Sequence, residues 1–266
     1  MNTLSVQVMS DLHPKYSDLD VPVTAPYLAF LGNVGQVDRR RIFLHREIDI
    51  FTFFENQLRR YEIVFFVLGV RETQDMDYNT AKETIRAFET RINEQPGLGK
   101  FVYLDQTRYD ISPDTTVLGC TLHSHISAES KPSIEEFWQF SVGNRERSID
   151  DHNAGHDSDV AWLNQQVAHM AAHEPHRKVV IFTHHSPTVD RRATTIPLPH
   201  WSEVSTTDLS KEVCWTSPTV RMWAFACIQV NCDLTLDGKK LVTNKQVGVR
   251  ADEFDPGKSW SLSFLD

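Results

Sequence analysis

Short runs of hydrophobic residues recur along the chain, and each predicts a buried β-strand because it is bounded by turn or charged residues. Amphipathic segments lie between several of these runs, and this alternation is typical of layered α/β proteins. The first half of the chain has the pattern of a doubly wound sheet. The candidate strands are Leu4–Met9, Tyr27–Leu31, Ile63–Leu68, Lys100–Leu104, Thr115–Gly119, Lys178–Thr183, Arg221–Phe225, Asp233–Leu236, Lys240–Asn244 and Ser259–Phe264.

Two amphipathic segments predict helices. Thr80 and Glu83 have the spacing of a capping box, and the helix that they begin should end at Pro96. A second helix is predicted to open near Ser158 and to stop before Pro175. The apolar faces of the two helices consist of Ala81, Ile85, Phe88 and Ile92 in the first and Val160, Leu163, Val167 and Met170 in the second.

Composition limits the class of protein and its partners. The 266 residues are 40% hydrophobic and 24% charged, which is typical of a globular protein, and they predict a single domain over residues 1–266. The net charge of −9 disfavours a nucleic-acid or membrane partner. No apolar stretch approaches the roughly 20 residues of a membrane span, and the N-terminus does not resemble a signal peptide, so a cytoplasmic location is expected.

The four cysteines are too few and too scattered for a secreted disulfide framework, so reduced thiols are expected. Cys227 and Cys232 are the pair whose spacing would permit a disulfide. The segment from Pro187 to Pro218 is rich in proline, serine and threonine and predicts a long loop. It is either a cover over a substrate site or a poorly ordered connection, and the sequence leaves both open.

Polar residues collect where predicted strands end. Asp11 and His13 follow the first strand, Asn33 follows the second, Arg71 and Glu72 follow the third, and His184 and His185 follow a later one. In open α/β sheets, ligands bind in the crevice beyond the carboxyl ends of the strands. Each element alone is more often structural, because an Asp-x-His sequence commonly caps a turn and a pair of histidines is commonly solvated. Together they predict one polar pocket.

Five motifs in this order resemble the calcineurin-like metallophosphoesterase superfamily, and in particular its Ser/Thr phosphatase-like phosphoesterase domains. The motifs are SDLH, LG-x-x-G, VLG-x-x-E, THHSP and WAF-x-x-x-x-VNCDL. The resemblance covers essentially the whole chain. It implies an α/β sandwich of two mixed β-sheets flanked by helices, with two metal ions at the strand ends that hydrolyse phosphate esters. Asp11 and His13 match the first metal motif, and His184 matches an isolated metal-binding histidine.

Five positions depart from the family pattern. Asn33 stands where the resemblance implies a metal-bridging aspartate, and Val70 and Arg71 stand where it implies a ligand asparagine and a catalytic histidine. Cys227 and Gln229 stand where it implies two histidine ligands. Two divalent ions about 4 Å apart need an anionic bridge and several N or O ligands each. The chain is therefore expected to hold no catalytic metal pair, and no cofactor is predicted.

The charge changes that these substitutions bring about are also consistent with one another. Carboxylates that lose their metal ions need another source of positive charge in a cavity of low dielectric constant. Asn33 removes one negative charge, and Arg71 adds a positive one. The hypothesis is that Arg71 occupies space vacated by metal and pairs with Asp11 or Glu72. Random loss of the site would leave the same residues, so this alternative stays open.

Three functions are compatible with these residues. The favoured one is a metal-independent enzyme of specialised metabolism that acts on a small molecule as a lyase, dehydratase, isomerase or cyclase. The second is a weak phosphoesterase that holds one ion through Asp11, His13 and His184. The third is a non-catalytic pseudophosphatase that serves as a binding module. The predicted catalytic residues are Asp11, His13, Arg71 and His184, and the predicted binding residues are Asn33, Glu72, His185, Cys227 and Gln229. The oligomeric state is left open.

Overall fold

The computed structural model describes residues 3–12, 19–38, 49–74, 76–135, 148–194, 202–226, 230–247 and 253–263. Three of the predicted site residues, His13, Cys227 and Gln229, lie outside this part of the chain. Residues 195–201, in the middle of the predicted long loop, also lie outside it.

The strands form two mixed sheets. They are β1 (Thr3–Met9), β2 (Tyr27–Phe30), β3 (Ile63–Phe66), β4 (Lys100–Tyr103), β5 (Thr107–Ser112), β6 (Thr115–Cys120), β7 (Lys178–Thr183), β8 (Val220–Ala224), β9 (Asp233–Leu236), β10 (Lys239–Val242) and β11 (Ser259–Ser263). The first sheet has the order β11-β1-β2-β3-β4 and the second the order β5-β6-β7-β8-β10-β9. Neighbouring strands are parallel except at β11, β5 and β9, which pair antiparallel. The antiparallel strands therefore lie at the sheet edges.

Helices cover the outer faces of the sheets. They are α1 (Ile50–Leu58), α2 (Tyr78–Asn93), α3 (Ile149–His173) and the short α4 (Val213–Thr216). Side chains of β2 show how the layers are organised, since successive residues of a strand face opposite ways. Leu28 and Phe30 pack in the core shared with α1 and α2, whereas Ala29 and Leu31 pack in the core between the two sheets. The α/β sandwich flanked by helices is confirmed.

The expectation of a doubly wound sheet is wrong. Strands β1 to β4 follow one another across the first sheet without the reversal of order that a doubly wound sheet requires. The physical reason is that the second sheet covers one face of the first through residues such as Val8, Phe65 and Phe182. Helices can then cover only the opposite face.

All of the candidate strands are present with small shifts of their ends, but β5, α1 and the short α4 were not predicted. Strand β5 is a half-exposed edge strand of mixed polar and apolar residues, so it carries no buried apolar run. Helix α1 buries Phe51, Phe53 and Phe54 in the core of the first sheet. Because these phenylalanines lie so close together in the sequence, the apolar residues of α1 do not recur at a clear helical spacing.

Two helix boundaries are corrected. Helix α2 is capped by Asp77, whose carboxylate accepts a hydrogen bond from the Thr80 N–H at 2.8 Å, so Thr80 lies inside the helix. Helix α3 begins at Ile149 rather than near Ser158, with a capping box between Ser148 and Asp151. The first turns of α3 bury polar residues instead of apolar ones, and this explains why the hydrophobic pattern missed them.

The described part of the segment from Pro187 to Pro218 is partly packed against the second sheet. Leu209, Cys214 and Trp215 are buried in the core that this sheet shares with α3. A poorly ordered connection is therefore the wrong description of residues 202–218, while a role as a substrate cover stays a prediction. Cys120, Cys214 and Cys232 are buried free thiols. None of the helices in the described ranges has the length and apolar run needed to cross a bilayer.

Candidate functional site

The carboxyl ends of β1, β2, β3 and β7 meet at one place, as the sequence predicts. The Asn33 side chain donates a hydrogen bond through Nδ2 to Asp11 Oδ1 at 2.9 Å, and its Oδ1 accepts one from the Arg71 N–H at 2.9 Å. His184 joins from β7 through a 2.7 Å bond between Nδ1 and the Leu31 carbonyl. Asp11, Asn33, Arg71 and His184 therefore belong to one site.

The backbone at this site is tightly constrained. Asp11 and Asn33 have φ angles of 52° and 56°, in the left-handed region that costs roughly 1 kcal/mol or more for residues with a side chain. Gly32 has φ 86°, and a Cβ there would lie 2.6 Å from His184 Nδ1 and 2.7 Å from the Gly69 Cα. Glycine is required at Gly32 because three strand ends converge on it.

Asp11 receives its positive charge from a residue that the sequence did not single out. Its carboxylate accepts hydrogen bonds from Ser10 Oγ at 2.8 Å and from Asn33, and Lys245 Nζ lies 3.9 Å from Oδ2. Both Asp11 and Lys245 are buried. Lys245 is thus the cation that the structure places beside Asp11. The hypothesis that Arg71 pairs with Asp11 or Glu72 stays a prediction.

Lys245 reaches the site from the loop that follows β10. Its N–H donates to Asn231 Oδ1 at 2.7 Å, and its carbonyl accepts from Asn231 Nδ2 at 3.1 Å. The neighbouring Asn244 carbonyl accepts from the Ser10 N–H at 3.0 Å, which ties the loop to the end of β1. The sequence signal was weak, a lysine three residues after the apolar pair Leu241-Val242, and nothing in the spacing linked it to a residue more than 230 positions away.

Glu72 joins the loops that follow β2 and β3. It is completely buried, and its oxygens accept hydrogen bonds from the N–H groups of Gly69 and Asn33 at 2.9 Å, Val34 at 2.6 Å and Gly35 at 3.2 Å. Burial raises the pKa of Glu72, although the charge of His184 and the backbone hydrogen bonds act in the opposite direction. These four bonds, rather than an ion pair with Arg71, hold the carboxylate. Glu72 therefore positions the site instead of offering a group to a ligand.

The two adjacent histidines adopt opposite tautomers. A carbonyl oxygen can only accept, so His184 Nδ1 carries the proton that it donates to Leu31, and Nε2 is the basic nitrogen of the neutral ring. His185 Nδ1 instead accepts a hydrogen bond from the Ser124 N–H at 3.0 Å, which places the proton of the neutral ring on Nε2. His184 can accept a proton in its neutral form, whereas His185 can donate one.

His185 also belongs to a second group of polar residues, which the sequence interpretation missed. Its ring centroid lies 6.1 Å from that of His123 and 5.8 Å from that of His152, and the His123 and His152 centroids are 5.1 Å apart. His123 follows β6, and Asp159 of α3 lies with Oδ2 3.3 Å from His123 Nδ1. The signal was present as His152, His156 and Asp159, whose spacing of four and three residues places them on one helix face.

The pH dependence of stability should reflect the buried His156. Burial lowers its pKa below 6.5, with the charge of His125 acting in the same direction. The folded chain therefore takes up its proton at lower pH than the unfolded chain, so this contribution to stability is complete above pH 6.5 and is lost as the pH falls through the folded-state pKa. We expect His156→Asn, whose amide can replace Nδ1 as donor to the His123 carbonyl, to flatten the stability profile between about pH 7 and 5.

Urea unfolding at a series of pH values measures this slope, and His169→Asn is the matched control because His169 is exposed on the same helix. An unchanged slope in His156→Asn would show that His156 does not cause it.

Two of the strand-end residues, Asp11 and Asn33, are engaged by protein donors. Both oxygens of Asp11 accept hydrogen bonds from Ser10 and Asn33, and a buried ammonium group lies beside it. Asn33 Oδ1 is likewise engaged by a backbone N–H. Within the described ranges, no group of three or more His, Cys, Asp or Glu side chains is placed to hold one ion. His13, Cys227 and Gln229 lie outside those ranges.

Comparison with solved structures gives two informative similarities. A phosphopantetheinyl hydrolase from Mycobacterium tuberculosis superposes with a TM-score of 0.65 and 15% identity over 92% of this chain and 89% of that one. A putative 5'-nucleotidase from Staphylococcus aureus, in complex with alpha-ketoglutarate, gives a TM-score of 0.55 and 11% identity. This chain has a phosphoesterase-like fold.

These similarities establish the fold alone, because the identities are low. The nucleotidase match covers 98% of this chain but only 51% of the other, so this chain spans about half of that protein. No protein-family model matches the sequence, and a search of the curated proteins gives no match.

Proposed function

We propose that this chain is a metal-independent enzyme on a phosphoesterase scaffold, which moves a proton within a small anionic molecule. The observation that carries the proposal is the environment of Asp11, whose carboxylate is engaged by Ser10, Asn33 and Lys245. A carboxylate held in this way positions its neighbours and has little capacity to bind a metal ion. The site is then a set of charged and hydrogen-bonding groups of the protein itself.

The proposed roles follow from the chemistry of each side chain. Arg71 is the anchor for the anionic group of the substrate, since a guanidinium is always charged and can form two parallel hydrogen bonds. His184 is the proton acceptor through Nε2, because Leu31 holds the proton on Nδ1. His13 is the second proton-transfer residue. Asn33, His185, Cys227 and Gln229 would contact the substrate, and Asp11 would position them.

The reaction class follows from these groups. A base takes a proton from a carbon or oxygen atom of the substrate, Arg71 stabilises the negative charge that develops, and the proton returns to another atom of the same molecule. Such a sequence needs no oxidant or second substrate. It serves an isomerase or cyclase directly, and a lyase or dehydratase if the protonated group leaves. A role in specialised metabolism is part of the proposal.

One observation favours a weak one-metal phosphoesterase as a second candidate. A histidine that donates through Nδ1 to a backbone carbonyl presents Nε2 in the form that binds metal ions, and His184 has this arrangement. Asp11 and His13 would be its partners. This candidate requires that an ion displace the donors that now engage Asp11.

Hydrolysis of bis-p-nitrophenyl phosphate separates the two candidates. We expect the wild-type rate to stay near background and to be insensitive to added Mn²⁺, because Asp11 is already engaged by protein groups. The comparison variant combines Asn33→Asp, Val70→Asn, Arg71→His, Cys227→His and Gln229→His, and it should gain Mn²⁺ binding. Strong Mn²⁺-dependent turnover by the wild type that disappears in His184→Gln would establish the one-metal phosphoesterase instead.

A further inference from the structure

A polar cavity of about 310 Å³ lies between α2, the turn after β4 and α3. Its volume is at the lower end of the range for small-molecule sites, which is roughly 300–1,000 Å³. The residues that define its chemistry are Tyr78, Lys82, Arg86, Asp105, His123 and Asp159.

The outer part of this cavity carries an excess of positive charge. Lys82 Nζ lies 2.9 Å from Asp105 Oδ2, and Arg86 contacts the same carboxylate oxygen. The Asp105 carboxylate thus pairs with two cations. The Arg86 side chain is 53% exposed, whereas that of Asp105 is 13% exposed. An anion entering from solvent therefore meets a cation pair that Asp105 neutralises only in part.

The inner part carries an ionised carboxylate and an oriented imidazole. Asp159 is buried, which raises its pKa, but hydrogen bonds from His123, Gln106 and the Leu122 N–H, together with the His123 charge, outweigh burial and leave the pKa lowered. Its Oδ1 accepts from Gln106 Nε2 at 3.0 Å, and its Oδ2 faces His123 Nδ1. A carboxylate can only accept, so His123 carries a proton on Nδ1, and in the neutral form of the ring Nε2 is the basic nitrogen.

We propose that this cavity is a binding site for a small molecule with an oxyanion at one end and a hydroxyl group at the other. Lys82 and Arg86 bind the oxyanion, which is a phosphate or a carboxylate group, and His123 accepts a hydrogen bond from the hydroxyl. The Asp159 carboxylate holds His123 in the tautomer that makes this possible. His123 lies near His185 of the strand-end site, but the residues that bind the small molecule are different ones, so the proposal does not rest on the function proposed for the strand-end residues.

The test is an NMR titration of the full chain labelled in its histidines. Inorganic phosphate and acetate are the probes, added in separate titrations at constant pH and ionic strength. The His123 ring resonance, assigned by its loss in His123→Gln, should shift and saturate with phosphate, with acetate or with both. A response to only one of them identifies the oxyanion.

Substitutions in the outer part of the cavity give effects of opposite sign. Lys82→Gln with Arg86→Gln should weaken binding about tenfold or more, because two charged hydrogen-bond donors are lost. Asp105→Asn should tighten it, because the carboxylate that competes for both cations is removed. Substitution of a residue needed only for folding would not raise the affinity in this way. Arg91→Gln is the matched control, since Arg91 is an exposed arginine of the same helix outside the cavity.

Two further variants test whether the probes bind in this cavity or elsewhere on the protein. Gly155 lines the cavity on α3, and Gly155→Leu should block binding by filling the space. Arg71→Met should leave the response of His123 unchanged, because Arg71 belongs to the strand-end site. The proposal is overturned if neither probe shifts the His123 resonance saturably, or if Asp105→Asn weakens binding as much as the double variant does while each protein keeps a folded spectrum.

Discussion

Glu72→Leu should lower the free energy of unfolding by about 4 kcal/mol or more. The carboxylate accepts hydrogen bonds from the N–H groups of Gly69, Asn33, Val34 and Gly35, and leucine can accept none. A buried donor without a partner costs about 1–3 kcal/mol, so even the lower value summed over four groups gives this loss. Since domains of this kind are stable by only about 5–15 kcal/mol, the variant should be close to unfolding at 37 °C.

Chemical denaturation measures this loss, and Glu83→Leu is the control because Glu83 is exposed on α2. The control should change stability by less than about 0.5 kcal/mol. Glu72→Gln retains one acceptor oxygen and should lie between Glu72→Leu and the wild type. If Glu72→Leu proves as stable as the control, the four bonds do not hold the two loops together.

Lys245→Met should destabilise the protein by about 3–5 kcal/mol, and a second substitution should restore most of that stability. Removing the ammonium group leaves the Asp11 carboxylate buried without a counter-charge, which is the costly way to break a buried ion pair. Adding Asp11→Asn to the Lys245→Met variant removes the negative charge of Asp11 that had lost its partner. The double variant should therefore be more stable than Lys245→Met alone.

A double-mutant cycle from denaturation curves gives the coupling between the two residues. Lys258→Met serves as the control, because the Lys258 side chain is 39% exposed and its pairing with Asp233 at 3.5 Å should contribute little. Additive losses from Lys245→Met and Asp11→Asn would mean that the two groups are not paired in solution.

Most of the strands could be predicted from the sequence because they are buried on both faces. Strand β3, for example, is buried at every position and is a continuous apolar run. Strand β5 and the first turns of α3 could not be predicted in this way. In the former, only Tyr109 and Ile111 pack against the core, and this alternation is too short to predict a strand by itself. The latter buries His152, His156 and Asp159 where a hydrophobic pattern expects apolar residues.

The strand-end site was predictable for a related reason. Parallel strands bring their carboxyl ends to one edge, so Asp11, Asn33 and Arg71 had to lie near each other once β1, β2 and β3 were recognised. His184 follows β7 of the second sheet, so its place depends on how the two sheets pack. The position of Lys245 depends on how the loop after β10 packs against the end of β1, and no local pattern encodes that contact. The sequence therefore indicated the need for a cation near Asp11 but not the contribution of Lys245.

We propose that protein donors, rather than a pair of metal ions, satisfy the strand-end groups. Elemental analysis after dialysis against Mn²⁺ or Zn²⁺ measures the metal content, with the fivefold variant that restores the family ligands as positive control. We expect far less than one ion per wild-type chain and a clear gain in the control. Two ions per wild-type chain, lost on Asp11→Asn, would contradict it.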